Sequence, residues 1–93
     1  MIESFACKHT RQLFEGRDCP KAFRAFQRQA ERKLQLLDSA ATLDFLRSPP
    51  GNRLEALQGD RQGQYSIRIN GQWRLCFRFE HGGAFDVEIV DYH

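Results

Sequence analysis

The sequence predicts an α+β domain in which a small antiparallel sheet, drawn from the last third of the chain, packs on helices from the N-terminal half. Two patterns and one bound lead there. Residues 64–93 alternate apolar and polar side chains, the period of a half-buried strand. Residues 20–38 instead carry Phe23, Phe26, Ala30, Leu34 and Leu37 at steps of three or four, which is one stripe of a helix. A chain of 93 residues with 41% hydrophobic content supplies one modest core, so stripe and sheet must cover each other in a single domain spanning residues 1–93.

Residues 2–5 are short and apolar enough for an edge strand, and residues 9–15, closed by Gly16, read as a brief helix with Leu13 and Phe14 turned inward. Asp18 or Cys19 can cap the main helix, with Pro20 in its first turn where the missing N–H costs nothing. On that helix Lys21, Arg24, Arg28 and Arg32 form a second stripe. It reads equally as a solvated face or as a contact for RNA phosphates or an acidic partner. Asp38 and Ser39 can cap a third helix through Leu46, which Pro49 and Pro50 forbid from continuing. Residues 53–58 follow, with Leu54 and Leu57 apolar, and then a glycine-flanked polar loop over residues 59–63. If that loop folds back, Arg61 and Glu55 reach the edge of the sheet.

Three strands are expected, over residues 65–69, 73–79 and 85–90. Tyr65, Ile67, Ile69, Trp73, Leu75, Phe77, Phe79, Phe85, Val87 and Ile89 form the apolar set; Ser66, Arg68, Arg74, Arg78, Asp86 and Glu88 form the other face. Opposed residues must share a face, so the first hairpin requires a three-residue loop, with Gly71 expected in the left-handed position. Beyond the last strand come Asp91, Tyr92 and His93, three side chains suited to acid-base chemistry at the rim of a face floored by arginines. Such a face suits a phosphodiester, and it also fits a plain solvated surface with a frayed tail.

A net charge of +2 does not mark a strongly basic nucleic-acid binder, so any basic site must come from placement. Cys7, Cys19 and Cys76 are odd in number and unevenly spaced, which argues for a reducing compartment and matches no zinc pattern, so no metal is expected. Neither a signal peptide nor a membrane span is legible, and a cytoplasmic protein is expected. The motifs of nucleotide hydrolases, dinucleotide enzymes, serine esterases and zinc proteases are all missing.

Gly59-Asp60-Arg61, Tyr65-Ser66-Ile67-Arg68, Gln72-Trp73-Arg74-Leu75-Cys76-Phe77 and the terminal Asp91-Tyr92-His93 are together specific, as are the words from Arg47 to Leu57. Through them the chain resembles the HigB branch of the RelE-like bacterial toxins over essentially its whole length. The resemblance implies a RelE-like toxin fold and a ribosome-dependent, metal-independent endoribonuclease without a cofactor, which cuts mRNA in the ribosomal A site. It implies a HigA-like antitoxin with a helix-turn-helix domain, operator DNA being met only through that antitoxin. It assigns catalysis to Asp91, Tyr92 and His93, with Arg74 on the scissile phosphate. Arg61, Arg68 and the stripe Lys21, Arg24, Arg28 and Arg32 are the residues expected to meet RNA. One departure stands out: some HigB toxins have a histidine where this chain has Glu55 and a lysine where it has Gln58, both linked to activity there. Glu55 either weakens phosphate binding or takes over the general-base role. A catalytically weak toxin-fold module acting with its antitoxin in transcription is therefore the alternative.

Overall fold

The computed structural model describes residues 1–92. Among them are helices α1 (Lys8–Phe14) and α2 (Gln27–Ser39) and a four-stranded antiparallel sheet in the order β1 (Glu55–Ala56), β2 (Tyr65–Arg68), β3 (Trp73–Glu80) and β4 (Gly83–Asp91). The α+β architecture is as expected, with one strand more. β1 was read only as part of a connecting segment, because two exposed residues carry no alternation.

Leu13 of α1, Phe23 and Phe26, and Ala30, Leu34 and Leu37 of α2 are buried against Ile67, Leu75, Phe77, Ala84, Val87 and Ile89 of the sheet. Trp73 completes a triad of rings with the two phenylalanines, stacked on Phe26 at 5.0 Å and edge-on to Phe23 at 5.8 Å, with Phe23 and Phe26 5.9 Å apart. No helix among the described residues is long and apolar enough to cross a membrane.

Four local expectations are corrected. The main helix is interrupted: Lys21–Phe26 is a 3-10 turn, and Phe26 at φ −129° separates it from α2. At this break both Phe23 and Phe26 pack on Trp73. No helix starts at Asp38, whose carboxylate instead accepts the Ile2 amide at 2.9 Å; only a short 3-10 turn, Asp44–Arg47, forms before the prolines. The hairpin between β2 and β3 has the expected three-residue loop, residues 70–72, closed by the Ile69 amide donating to Trp73 O at 3.0 Å. Gly71, however, does not have positive φ. The Asn70 side chain shapes the turn, its Oδ1 accepting the amides of Gln72 and Trp73, both at 2.8 Å.

The fourth correction concerns β4, which carries a bulge between its pairings Glu88 with Cys76 and Phe85 with Arg78. Asp86 takes φ 53° there, and its amide donates to Ser4 Oγ at 2.9 Å. The extra residue moves Phe85 to the arginine side, where its ring lies 5.4 Å from the Arg78 guanidinium, and sends Ala84 into the core. The N-terminal segment does run along β4, as the bridges Ile2 to Ala84 and Phe5 to Val87, and so covers an otherwise open sheet edge.

Candidate active site

The sheet face away from the helices is built by register. Glu55, Ser66, Cys76 and Glu88 stand in one row across all four strands, and Arg68, Arg74 and Val90 form the next row. Two like charges opposite each other repel, so Arg68 and Arg74 need other partners. Arg68 donates from Nε to Asn70 O at 3.1 Å. Arg74 is buried, donating from Nε to Ser66 Oγ at 2.7 Å and from Nη2 to the carbonyls of Arg53 at 2.6 Å and Ser66 at 3.3 Å. Arg53 delivers its carbonyl from a left-handed backbone at φ 45°, at the end of the proline corner, where buried Asn52 is tied to Leu46 O and Ser48 O.

The loop before β2 folds back onto this face, as its glycines allow. Arg61 donates to Glu88 at 2.8 Å and to Gln64 at 3.1 Å. The hydrogen bond from Arg61 to Glu88 is the main reason the guanidinium is held above its ordinary pKa, and Cys76 and Tyr92 add to it electrostatically. Burial pushes the Cys76 thiol up, against the pull of Arg61. Glu55 lies 3.9 Å from Arg74 and is itself largely exposed. Arg61, Arg74, Glu55, Glu88 and Tyr92 thus share one alternating patch of charge and hydrogen-bonding groups.

Not every expected residue joins it. β4 extends one residue further than expected, and Asp91 pairs with Trp73. Asp91 therefore occupies the helix-side face, across the sheet from Arg74, with its carboxylate accepting the Gln72 amide group at 3.1 Å to each oxygen. The tail is not frayed at this point, since the Tyr92 amide donates to Gln72 O at 2.6 Å and alternation returns Tyr92 to the arginine side. His93 lies outside the described residues. Arg78 sits four residues along β3 from Arg74, about 13 Å away, and is engaged by Asp86 at 2.8 Å and by Glu80. Lys21, Arg24, Arg28 and Arg32 are all exposed, but the break at Phe26 divides them into two pairs instead of one continuous stripe. Gln58 is exposed beside the loop.

Ser66, Glu88 and the Arg53 carbonyl hold the two arginines and are not among the residues the sequence singles out. Parity places Ser66 and Glu88 on this face, while nothing local announces the Arg53 carbonyl.

A family model described as "RelE-like toxin of type II toxin-antitoxin system HigB" matches residues 3–93. Over 56 residues the chain is 49% identical to Toxin HigB-1 of Vibrio cholerae serotype O1, a match spanning 60% of this chain and 59% of that relative. It is 32% identical over 93 residues, covering 100% of both chains, to Endoribonuclease HigB of Proteus vulgaris. Among solved structures, YafQ from E. coli superposes with a TM-score of 0.64 at 13% identity, covering 98% of this chain and 93% of that one. The YoeB-YefM complex from Staphylococcus aureus gives 0.61 at 17% identity, covering 100% and 98%. At these identities the structural likeness is one of fold.

Proposed function

Since the chain belongs to the RelE-like toxins of type II toxin-antitoxin systems, in the HigB family, we propose that it is a ribosome-dependent endoribonuclease cutting translated mRNA in the A site. The full-length identity to a relative named an endoribonuclease supports the activity. The observation that carries it to particular atoms is the buried, three-point-held Arg74 on the sheet's polar face.

In the proposed reaction the ribose 2′-OH attacks the adjacent phosphorus, giving a 2′,3′-cyclic phosphate and a 5′-OH. The step needs a base for the 2′ proton, positive charge for the phosphoryl oxygens and an acid for the departing 5′-oxygen. Arg74 supplies positive charge and planar N–H donors, and Arg61 adds a second guanidinium by exchanging Glu88 for phosphate. Glu55, on the same face as Arg74, takes the base role that an imidazole has in some relatives. Tyr92 and His93 serve the leaving oxygen or stack on a base. Asp91, through Gln72, holds the end of β4 in place, so its part is to position Tyr92. No metal enters these steps.

The partner is proposed to be a HigA-like, helix-turn-helix antitoxin, through which operator DNA is met; the YoeB-YefM neighbour is itself a toxin-antitoxin complex. The exposed cations Lys21, Arg24, Arg28 and Arg32 are assigned to ribosomal RNA, and Arg68 to the message, and the cytoplasm is the proposed site of action. The second reading, a weak or inactive module acting in transcription, draws on Glu55 and Glu88 occupying both arginines.

Inducing the chain alone in a bacterium and mapping new 5′-OH ends tests the proposal. Ends inside reading frames, accompanied by growth arrest, are expected. Arrest without new ends would favour the second reading, and efficient cutting of naked RNA would remove the ribosome requirement.

A further inference from the structure

Arginine offers two edges to an anion, Nε with Nη2 and Nη1 with Nη2, each a fork of two parallel N–H bonds. In Arg74 the first fork is already spent and the second has lost its Nη2. Nε meets Ser66 Oγ at 2.7 Å, one Nη2 hydrogen meets Ser66 O at 3.3 Å and the other meets Arg53 O at 2.6 Å. Among the described residues Nη1 has no protein acceptor, although the Arg74 side chain remains 11% exposed. Ser66 can do this because it pairs with Cys76 while Arg68 pairs with Arg74, which sets Ser66 diagonally beside Arg74 on the same face. Ser66 is also fully buried, so water does not compete for its hydroxyl.

We infer that Ser66 is a positioning residue for phosphodiester cleavage: with the Arg53 carbonyl it clamps the guanidinium so that Nη1 is the nitrogen presented to the phosphate. This rests on the endoribonuclease reading. It makes the Arg74 contact to phosphate single-pronged and directional, and leaves the second phosphoryl contact to Arg61. The clamp is formed before RNA arrives and makes no contact with RNA itself. Its effect is on the placement of positive charge as the phosphorus becomes five-coordinate, and misplacement of a catalytic group by about 1 Å costs on the order of a hundredfold.

Ser66→Thr and Ser66→Val differ only in a hydroxyl against a methyl, so they separate hydrogen bonding from shape. Cleavage would be followed on ribosomes programmed with a defined message. The Thr variant is expected to stay near wild type, and the Val variant to lose about ten- to a hundredfold in kcat with KM unchanged. Adding Arg74→Lys should then cost little more in the Val background, while costing heavily alone. A Val variant that is folded and as fast as Thr, or fully additive losses, would overturn the inference. If Val does not fold, exchange of the Arg74 Nε hydrogen in the wild-type protein decides: slow exchange supports the clamp and free exchange overturns it. A wild-type chain that leaves programmed ribosomes uncut would instead bring down the endoribonuclease reading, and this inference with it.

Discussion

Replacing Glu55 by glutamine separates two roles that predict opposite outcomes. Its carboxylate lies 3.9 Å from Arg74 with a side chain 56% exposed. At about 4 Å two unit charges attract by about 1 kcal/mol in water and about 4 kcal/mol at a protein surface of low effective dielectric. The exposure of Glu55 puts this pair at the weak end, within the roughly 0.2–1 kcal/mol typical of exposed ion pairs. If Glu55 merely competes with phosphate for Arg74, Glu55→Gln can tighten RNA binding by no more than about fivefold and leave the rate alone. If Glu55 removes the 2′ proton, the same change costs about a hundred- to ten-thousand-fold in rate. The two outcomes differ in sign and by more than tenfold in size. We expect the rate loss, with affinity unchanged or slightly tighter, in single-turnover cleavage on programmed ribosomes, and a melting temperature lowered by a few degrees at most, because Glu55 contributes one exposed ion pair and no core burial. Glu55→His, which restores the side chain of some relatives, should retain cleavage. A Glu55→Gln protein that cuts at the wild-type rate would refute the base assignment and leave Glu55 as a surface partner of Arg74.

Ending the chain at Val90 removes the Tyr92 amide bond to Gln72 O and the one bond that Gln72 Nε2 shares between both Asp91 oxygens, and two bonds at about 0.5–1.5 kcal/mol each predict a loss of about 1–3 kcal/mol in urea unfolding. Toxicity should vanish while antitoxin co-purification persists; a folded truncation that is fully toxic would sink the assignment of Tyr92 and His93. Thiol labelling of the folded protein should reach Cys7 and Cys19 but spare Cys76 until unfolding. Because burial raises the folded Cys76 pKa above its ordinary 9.0, the native state keeps a proton that the unfolded chain loses, so this contribution to stability is full below that value and declines as pH rises past it. Stability that rises with pH across this window would contradict it. Neutralising two cations, such as Arg28 and Arg32, should lower the salt slope of ribosome binding by roughly one to two units, at about 0.7 to 0.9 per phosphate, without changing the melting temperature.

Much of this architecture follows from parity alone. Ile67, Leu75, Phe77, Val87 and Ile89 are buried because odd positions face the helices, and the same rule excludes a two-residue Asn70-Gly71 loop and requires three residues. Parity fails where a distant segment intervenes. Asp86 bulges as the N-terminal segment docks on β4 and Ser4 takes its amide, and no pattern within residues 83–91 records that contact 82 positions away. The Arg74 clamp was hidden for a related reason: its Ser66 acceptors lie across a hairpin, and its third is a carbonyl on the far side of the proline corner, which any residue type would supply. Asp91 is the instructive case, because there the rule was available and points the other way from chemical intuition. A carboxylate, a phenol and an imidazole in succession invite assignment to one site, yet consecutive strand residues alternate faces and β3 continues to pair with β4 through Trp73 and Asp91. Of Asp91 and Tyr92 only the even-numbered one can share a face with Arg74, so it is Tyr92 that stands with the arginines. The odd-numbered Asp91 is left on the other face, where it accepts from Gln72, the residue whose carbonyl takes the Tyr92 amide.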